Sequence, residues 1–248
     1  MRILLKSIIT STFLVFILLM NSCDEPTTVV TVTTEPVTLT INHFFKNEIL
    51  VFNKIYQGPQ DRDLWITKKK YYLSNITAIS SEGKNYLIKD IALVELGDGS
   101  DEVTISGEIP KGNYNAISFD LGVREDLNLK DPATYDIDHP LSVTHNMYWG
   151  WSTQYIFSKF EGYEILNDDT TSFVIHTGTQ SLYRPEITVA RNFEISSTKS
   201  EVSIDLDIFS ILSTYEYTFD LTDDGQSHTT DNLPLAVNYM DNFTVAFD

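Results

Sequence analysis

Apolar and polar residues alternate at period two in segment after segment of this 248-residue chain, the pattern of strands with one buried face. Val37, Leu39 and Ile41 alternate with Thr38, Thr40 and Asn42; Ile117, Phe119 and Leu121 alternate with Ser118 and Asp120. Val202, Ile204 and Leu206 alternate with Ser203, Asp205 and Asp207. The same reading predicts strands at 48–55, 71–80, 86–96, 101–109, 154–161, 172–176, 186–195 and 243–247. Turn residues punctuate them at Gly58-Pro59, Glu82-Gly83, Gly97-Asp98-Gly99, Pro110-Lys111-Gly112 and Asp223-Asp224-Gly225. The stretch Gly97 to Asp101 reads as a hairpin turn, because it lacks the ligand series and bidentate Glu of a calcium loop.

No run of ten or more residues carries helical periodicity, apart from 206–216, which fits a short helical turn. The expected fold is therefore all-β: a single-domain β-sandwich of about ten strands over residues 37–248. With 13 Tyr and 14 Phe, the composition agrees. The longest region without a strand pattern, Arg124 to Tyr148, is expected to be a long functional loop.

The front of the chain follows different rules. Arg2 and Lys6 precede an apolar run from Ile8 to Met20, then Asn21, Ser22 and Cys23. A basic start, an apolar core and a small residue before a cysteine read as a secretory signal over 1–22. The run is short for a bilayer span, which needs about 20 apolar residues. Cys23, the single cysteine, is then the expected lipidation site, and its acyl chains tie the protein to a lipid bilayer. Residues 24–36 are rich in Thr, Val, Pro and acid and read as a flexible tether. The expected location is the cell envelope, on the periplasmic or cell-surface face of the outer membrane.

Charge narrows the functions. The whole chain carries a formal net charge of −18, and loss of residues 1–22 removes two of its 17 basic side chains. Such acidity argues against nucleic acid and favours cations or neutral ligands. With Cys23 lipidated, thiolate metal sites and thiol catalysis drop out. No G-x-S-x-G, H-E-x-x-H or phosphate-cradling glycine loop is present, and no carboxylate pair stands out for glycosidase work. An enzyme is not expected.

Candidate chemistry gathers on histidine and tryptophan. His139 to Trp151 places His139, His145, Met147, Trp149 and Trp151 in one short stretch. Imidazole and thioether suit Cu(I), and indole faces exclude water; ordinary loop histidines beside core aromatics are the blander explanation. His43 continues the inward parity of Val37, Leu39 and Ile41, so it needs a hydrogen-bond partner or a metal. His176 ends the run Ser172 to Ile175 ahead of Thr177-Gly178, at a strand end where other loops converge.

Several segments resemble a known family. Lys70 to Ile76, Gly112 to Val123, His139-Pro140-Leu141, Met147 to Trp151, Gln154 to Phe157, Glu161-Gly162 and Phe173 to Gly178 follow in order. Together they resemble the methanobactin-associated copper-binding proteins, the MbnP-like domain, in a cysteine-poor lipoprotein branch. The resemblance implies a β-sandwich-like fold and Cu(I) held by histidines. It also implies a tryptophan oxidised to kynurenine by a partner dihaem peroxidase-type enzyme, and a copper importer as a further partner. By motif, His176 matches the histidine of the H-x-G element, and Trp149 and Trp151 match the central aromatic pair.

The expectation is thus a lipid-anchored, non-catalytic copper-binding protein for uptake, storage or delivery. His43 and His176 are the candidate ligands, and His145, Trp149 and Trp151 are further candidates for metal contact or oxidation. The alternative is a metal-independent surface module that binds glycans or a protein through exposed aromatic rings.

Overall fold

The computed structural model describes residues 33–97, 102–150, 153–167, 169–197 and 200–248. The expected signal segment, Cys23 and most of the expected tether lie outside the described residues, and so does Trp151. Thr33–Asp248 forms one compact unit.

Thirteen strands are defined among the described residues. In chain order the first seven are β1 (Thr34–Phe45), β2 (Glu48–Ile49), β3 (Ile55–Gln57), β4 (Asp63–Ser80), β5 (Asn85–Leu96), β6 (Glu102–Pro110) and β7 (Gly112–Leu121). A short helix α1 (Glu125–Asn128) precedes β8 (Tyr148–Trp149), β9 (Gln154–Leu166), β10 (Asp169–Gly178), β11 (Arg184–Ile195) and β12 (Ser200–Asp207). Then come α2 (Ile208–Leu212), β13 (Gln226–His228) and α3 (Leu233–Thr244).

These strands make two open sheets around one apolar core, so the all-β, sandwich-like expectation holds. In the smaller sheet β1 is central: β12 runs parallel to it, and β6 and β2 run antiparallel. The larger sheet orders β11-β7-β4-β9-β10-β13, with β3, β5 and β8 added at its margins. Alternation explains the layering. On β1, Val37, Leu39, Ile41, His43 and Phe45 all turn inward and are buried, the inward parity expected for His43.

Three expectations need correction. The segment 48–55 is not one strand; it breaks into two-residue β2, an irregular stretch and the start of β3. The turn around Gly97 does not close a hairpin ladder: β5 pairs with β4 and β6 pairs with β1, so the chain changes sheets there. Its residues 98–101 lie outside the described residues.

Of the expected strand at 243–247, Phe243 and Thr244 end the 12-residue helix α3, and the rest is a turn followed by a single bridge from Phe247 to Leu206. Helical signals were present: the Asn232 side chain accepts from the Leu235 amide, and Pro234 occupies the first turn. Leu235, Ala236, Tyr239, Met240 and Phe243 then bury one face at helical spacing. The segment 206–216 does carry the expected short helical turn, α2 over Ile208–Leu212, directly after the end of β12.

Helix α3 fills the core against the larger sheet. Tyr239 and Phe243 surround Lys69, which is fully buried with no carboxylate beside it among the described residues. Its ammonium lies 3.8 Å from the Phe243 ring centre, and burial drives its pKa well below the ordinary lysine value. The loop 124–148 is also anchored. The hydroxyls of Tyr72 and Tyr155 donate to the carbonyls of Pro140 and Leu141, and Leu141 and Met147 are buried.

Candidate metal centre

Along β10, Phe173, Ile175 and Thr177 point into the core, so His176 is on the opposite, outer face of the larger sheet. Residues from three other strands meet it there. On β9, Lys159 lies directly opposite His176, and Glu161, two residues further on, shares its face. On β13, a parallel ladder sets His228 beside His176. The end of loop 124–148 supplies Trp149 on β8, which pairs with the start of β9.

The rings form a compact group. The His176 and His228 centroids are 5.4 Å apart at 85°. Trp149 lies 5.6 Å from His176 and 6.0 Å from His228, tilted to both.

Hydrogen bonds fix the His176 tautomer. Its Nε2 is 2.8 Å from Glu161 Oε1, while Lys68 Nζ donates to the other carboxylate oxygen at 2.7 Å. Burial is the largest influence on His176 and pushes its pKa down to about 4, against the opposing pull of Glu161. The ring is therefore neutral near pH 7, and the Glu161 contact is a hydrogen bond from Nε2–H rather than an ion pair. Burial alone would raise Glu161, but Lys68 and His176 together hold its carboxyl below the usual range.

With the proton on Nε2, Nδ1 of His176 carries a lone pair. That atom is buried and has no hydrogen-bond partner, an arrangement that costs about 1–3 kcal/mol unless a ligand satisfies it. His228 repeats the design at the surface. Asp231 accepts from its Nδ1 at 3.1 Å and from its backbone amide, leaving Nε2 without a protein partner among the described residues. Each imidazole is thus backed by a carboxylate on one nitrogen and bare on the other, as metal-binding histidines commonly are.

Two local features build this geometry. A Cβ on Gly178 would come 2.6 Å from Thr153 Oγ1 and 2.8 Å from the Tyr155 carbonyl. The glycine of the H-x-G element therefore lets the strand end close against the turn carrying Trp149. Thr229 Oγ1 donates to the His176 carbonyl at 3.0 Å and locks the end of β13 to β10.

The other candidates lie elsewhere. His43 is buried on the inner face of β1, with Nε2 2.9 Å from the Tyr71 hydroxyl, and no contact joins it to His176. His145 is in a one-turn 3-10 segment; its Nε2 is 3.1 Å from the His139 carbonyl and its Nδ1 is 3.8 Å from Glu95 Oε2. Trp149 is the described member of the aromatic pair. His228 is the residue that sequence reasoning missed. Its one local signal is Asp231 three positions on, which is weak in so acidic a chain.

The donor set is sparse. Among the described residues no group of three or more His, Cys, Asp or Glu side chains is arranged to hold a metal ion. Two imidazoles beside an indole fit a low-coordinate soft cation better than tetrahedral Zn(II) or oxygen-seeking Ca(II). The residues present fit Cu(I).

Fold and site define an all-β, sandwich-like domain that presents a carboxylate-backed histidine pair beside a tryptophan. The MbnP family profile matches residues 34–231, and the chain belongs to that family. Its fold is similar to MbnP from Methylosinus trichosporium, with a TM-score of 0.50 and 15% identity, covering 73% of this chain and 78% of that one. No curated protein sequence matches it significantly.

Proposed function

We propose that this protein is an exported, lipid-anchored, non-catalytic copper-binding protein that takes up, stores or delivers Cu(I). His176 Nδ1 and His228 Nε2 would be the ligands. The observation that carries this reading is the buried, unpartnered Nδ1 of a neutral His176 next to a second carboxylate-backed imidazole. Family membership supports it, since the MbnP family is associated with methanobactin and copper. Trp149 would shield the ion and is the candidate for oxidation by a dihaem peroxidase-type partner. The basic, apolar and cysteine-terminated leader supports anchoring through Cys23 and a place in the cell envelope.

The test is a Cu(I) titration of the mature domain against a competing chelator. Wild type should outcompete the His176→Ala and His228→Ala variants, and equal affinities in all three would end the reading. Intact mass of the native protein reads tryptophan oxidation, and a Cys23→Ser variant should leave the membrane fraction.

A second reading, a surface module for glycans or a protein, has one observation in its favour. Ile55, Trp65 and Tyr163 are in register across β3, β4 and β9, all exposed, with the two aromatic rings 5.6 Å apart. Metal-independent glycan-array binding that Trp65→Ala abolishes would favour it.

A further inference from the structure

We propose that Lys159 is a specificity residue of the histidine pair, a fixed positive charge that favours a monovalent ion over divalent competitors. This rests on the copper reading above and deepens it.

Lys159 faces His176 directly across the β9–β10 ladder and Lys70 across the β4–β9 ladder. Directly opposed side chains on one sheet face have Cβ atoms about 5 Å apart. Both Lys68 and Lys70 have carboxylate partners, in Glu161 and Glu95. Lys159 has none within ion-pair distance among the described residues. Its Nζ instead donates at 2.6 Å to the carbonyl of Asn146, which caps the 3-10 turn just before Trp149. That bond holds the half-buried ammonium at the edge of the site.

The charges flanking the imidazoles then balance. Glu161 and Asp231 back the two rings, and Lys68 and Lys159 offset them. A Coulomb penalty scales with the product of charges, so Lys159 repels a divalent ion twice as strongly as a monovalent one at the same point. This local charge opposes the field of a chain with net charge −18, which by itself draws divalent cations most strongly. Zn(II) and Cu(II) are the competitors to be rejected.

The experiment measures Cu(I) and Zn(II) affinities by chelator competition at one pH for wild type, Lys159→Leu and Lys159→Arg. Leucine removes the charge and brings no donor atom, and arginine keeps the charge. Lys159→Leu should lower the Cu(I)-to-Zn(II) affinity ratio by about tenfold or more, while Lys159→Arg keeps it within about threefold of wild type. Lys159→Gln replaces the leucine variant should that one not fold. A purely structural lysine would weaken both metals in proportion, so an unchanged ratio in the neutral variant overturns the proposal. His176→Ala separates the two claims. If it weakens Cu(I) while the neutral Lys159 variant leaves the ratio unmoved, only the selectivity role falls. If His176→Ala leaves Cu(I) affinity intact, the copper reading falls and takes this one with it.

Discussion

His43 and His176 are both buried, at 1% and 8% exposure, and both engage Nε2 in a hydrogen bond shorter than 3 Å. Their surroundings differ in kind. His43 faces the interior, where its partner is the neutral phenol of Tyr71, itself packed edge-on against Phe243 and Phe247. His176 faces outward, where its partner is a carboxylate, its other nitrogen is orphaned, and a second imidazole and an indole stand beside it. Burial of a histidine therefore marks only a need for polar partners. A ring oriented by a carboxylate with its opposite nitrogen left bare is the arrangement a metal ligand would need.

The comparison breaks most visibly in metal affinity. His176→Ala should cost more than about a hundredfold in Cu(I) affinity, beyond the range for losing an outer-shell partner. His43→Ala should leave that affinity unchanged in the same competition titration. The reverse result would make the interior histidine the ligand and the outer pair incidental.

Acid sharpens the contrast next. His176 titrates at about 4 in the fold, against about 6.5 in an unfolded chain. Between those values the unfolded state binds the extra proton, so stability of the metal-free protein falls as pH drops from about 6.5 to about 4. The full loss attributable to His176 is about 3 kcal/mol. The depressed Glu161 carboxyl adds to the loss as pH falls below its unfolded value. Denaturant melts across this window should show the slope in wild type and a flatter one in His176→Gln.

Glu161→Gln tests the backing carboxylate without touching either proposed ligand. It should weaken Cu(I) by about tenfold to a hundredfold. An unaltered affinity would show that the carboxylate does not orient the ring. The smallest effect belongs to the interior. His43→Leu should lower stability by about 1–3 kcal/mol by stranding the Tyr71 hydroxyl, read as a shifted thermal midpoint with copper affinity intact.

Much of the fold was legible along the chain because strand faces are written at period two, as on β1, β7 and β12. Where the sequence misled, a short-range pattern was overridden by packing. Phe243, Val245 and Phe247 alternate like a strand, yet Asn232 and Pro234 start a helix whose apolar face fills the core around Lys69. The stretch 48–55 looks apolar enough for a strand, yet it makes no continuous ladder, and Ile49, Val51 and Ile55 remain exposed.

The candidate site divides the same way. His176, Gly178, Glu161 and Trp149 sit in segments that the chain itself marks by motif and strand position. The sequence alone determined an all-β domain of this family, its one cysteine and the outward-or-inward parity along strands such as β1, β7 and β12. Only the tertiary structure chose the partners. It turned His43 toward a phenol and brought His228 to His176 through a three-residue parallel ladder closed across β11, β12 and α2. Periodicity is a local property of the chain, whereas a shared ligand site depends on which distant strands exchange backbone hydrogen bonds, and no local spacing records that.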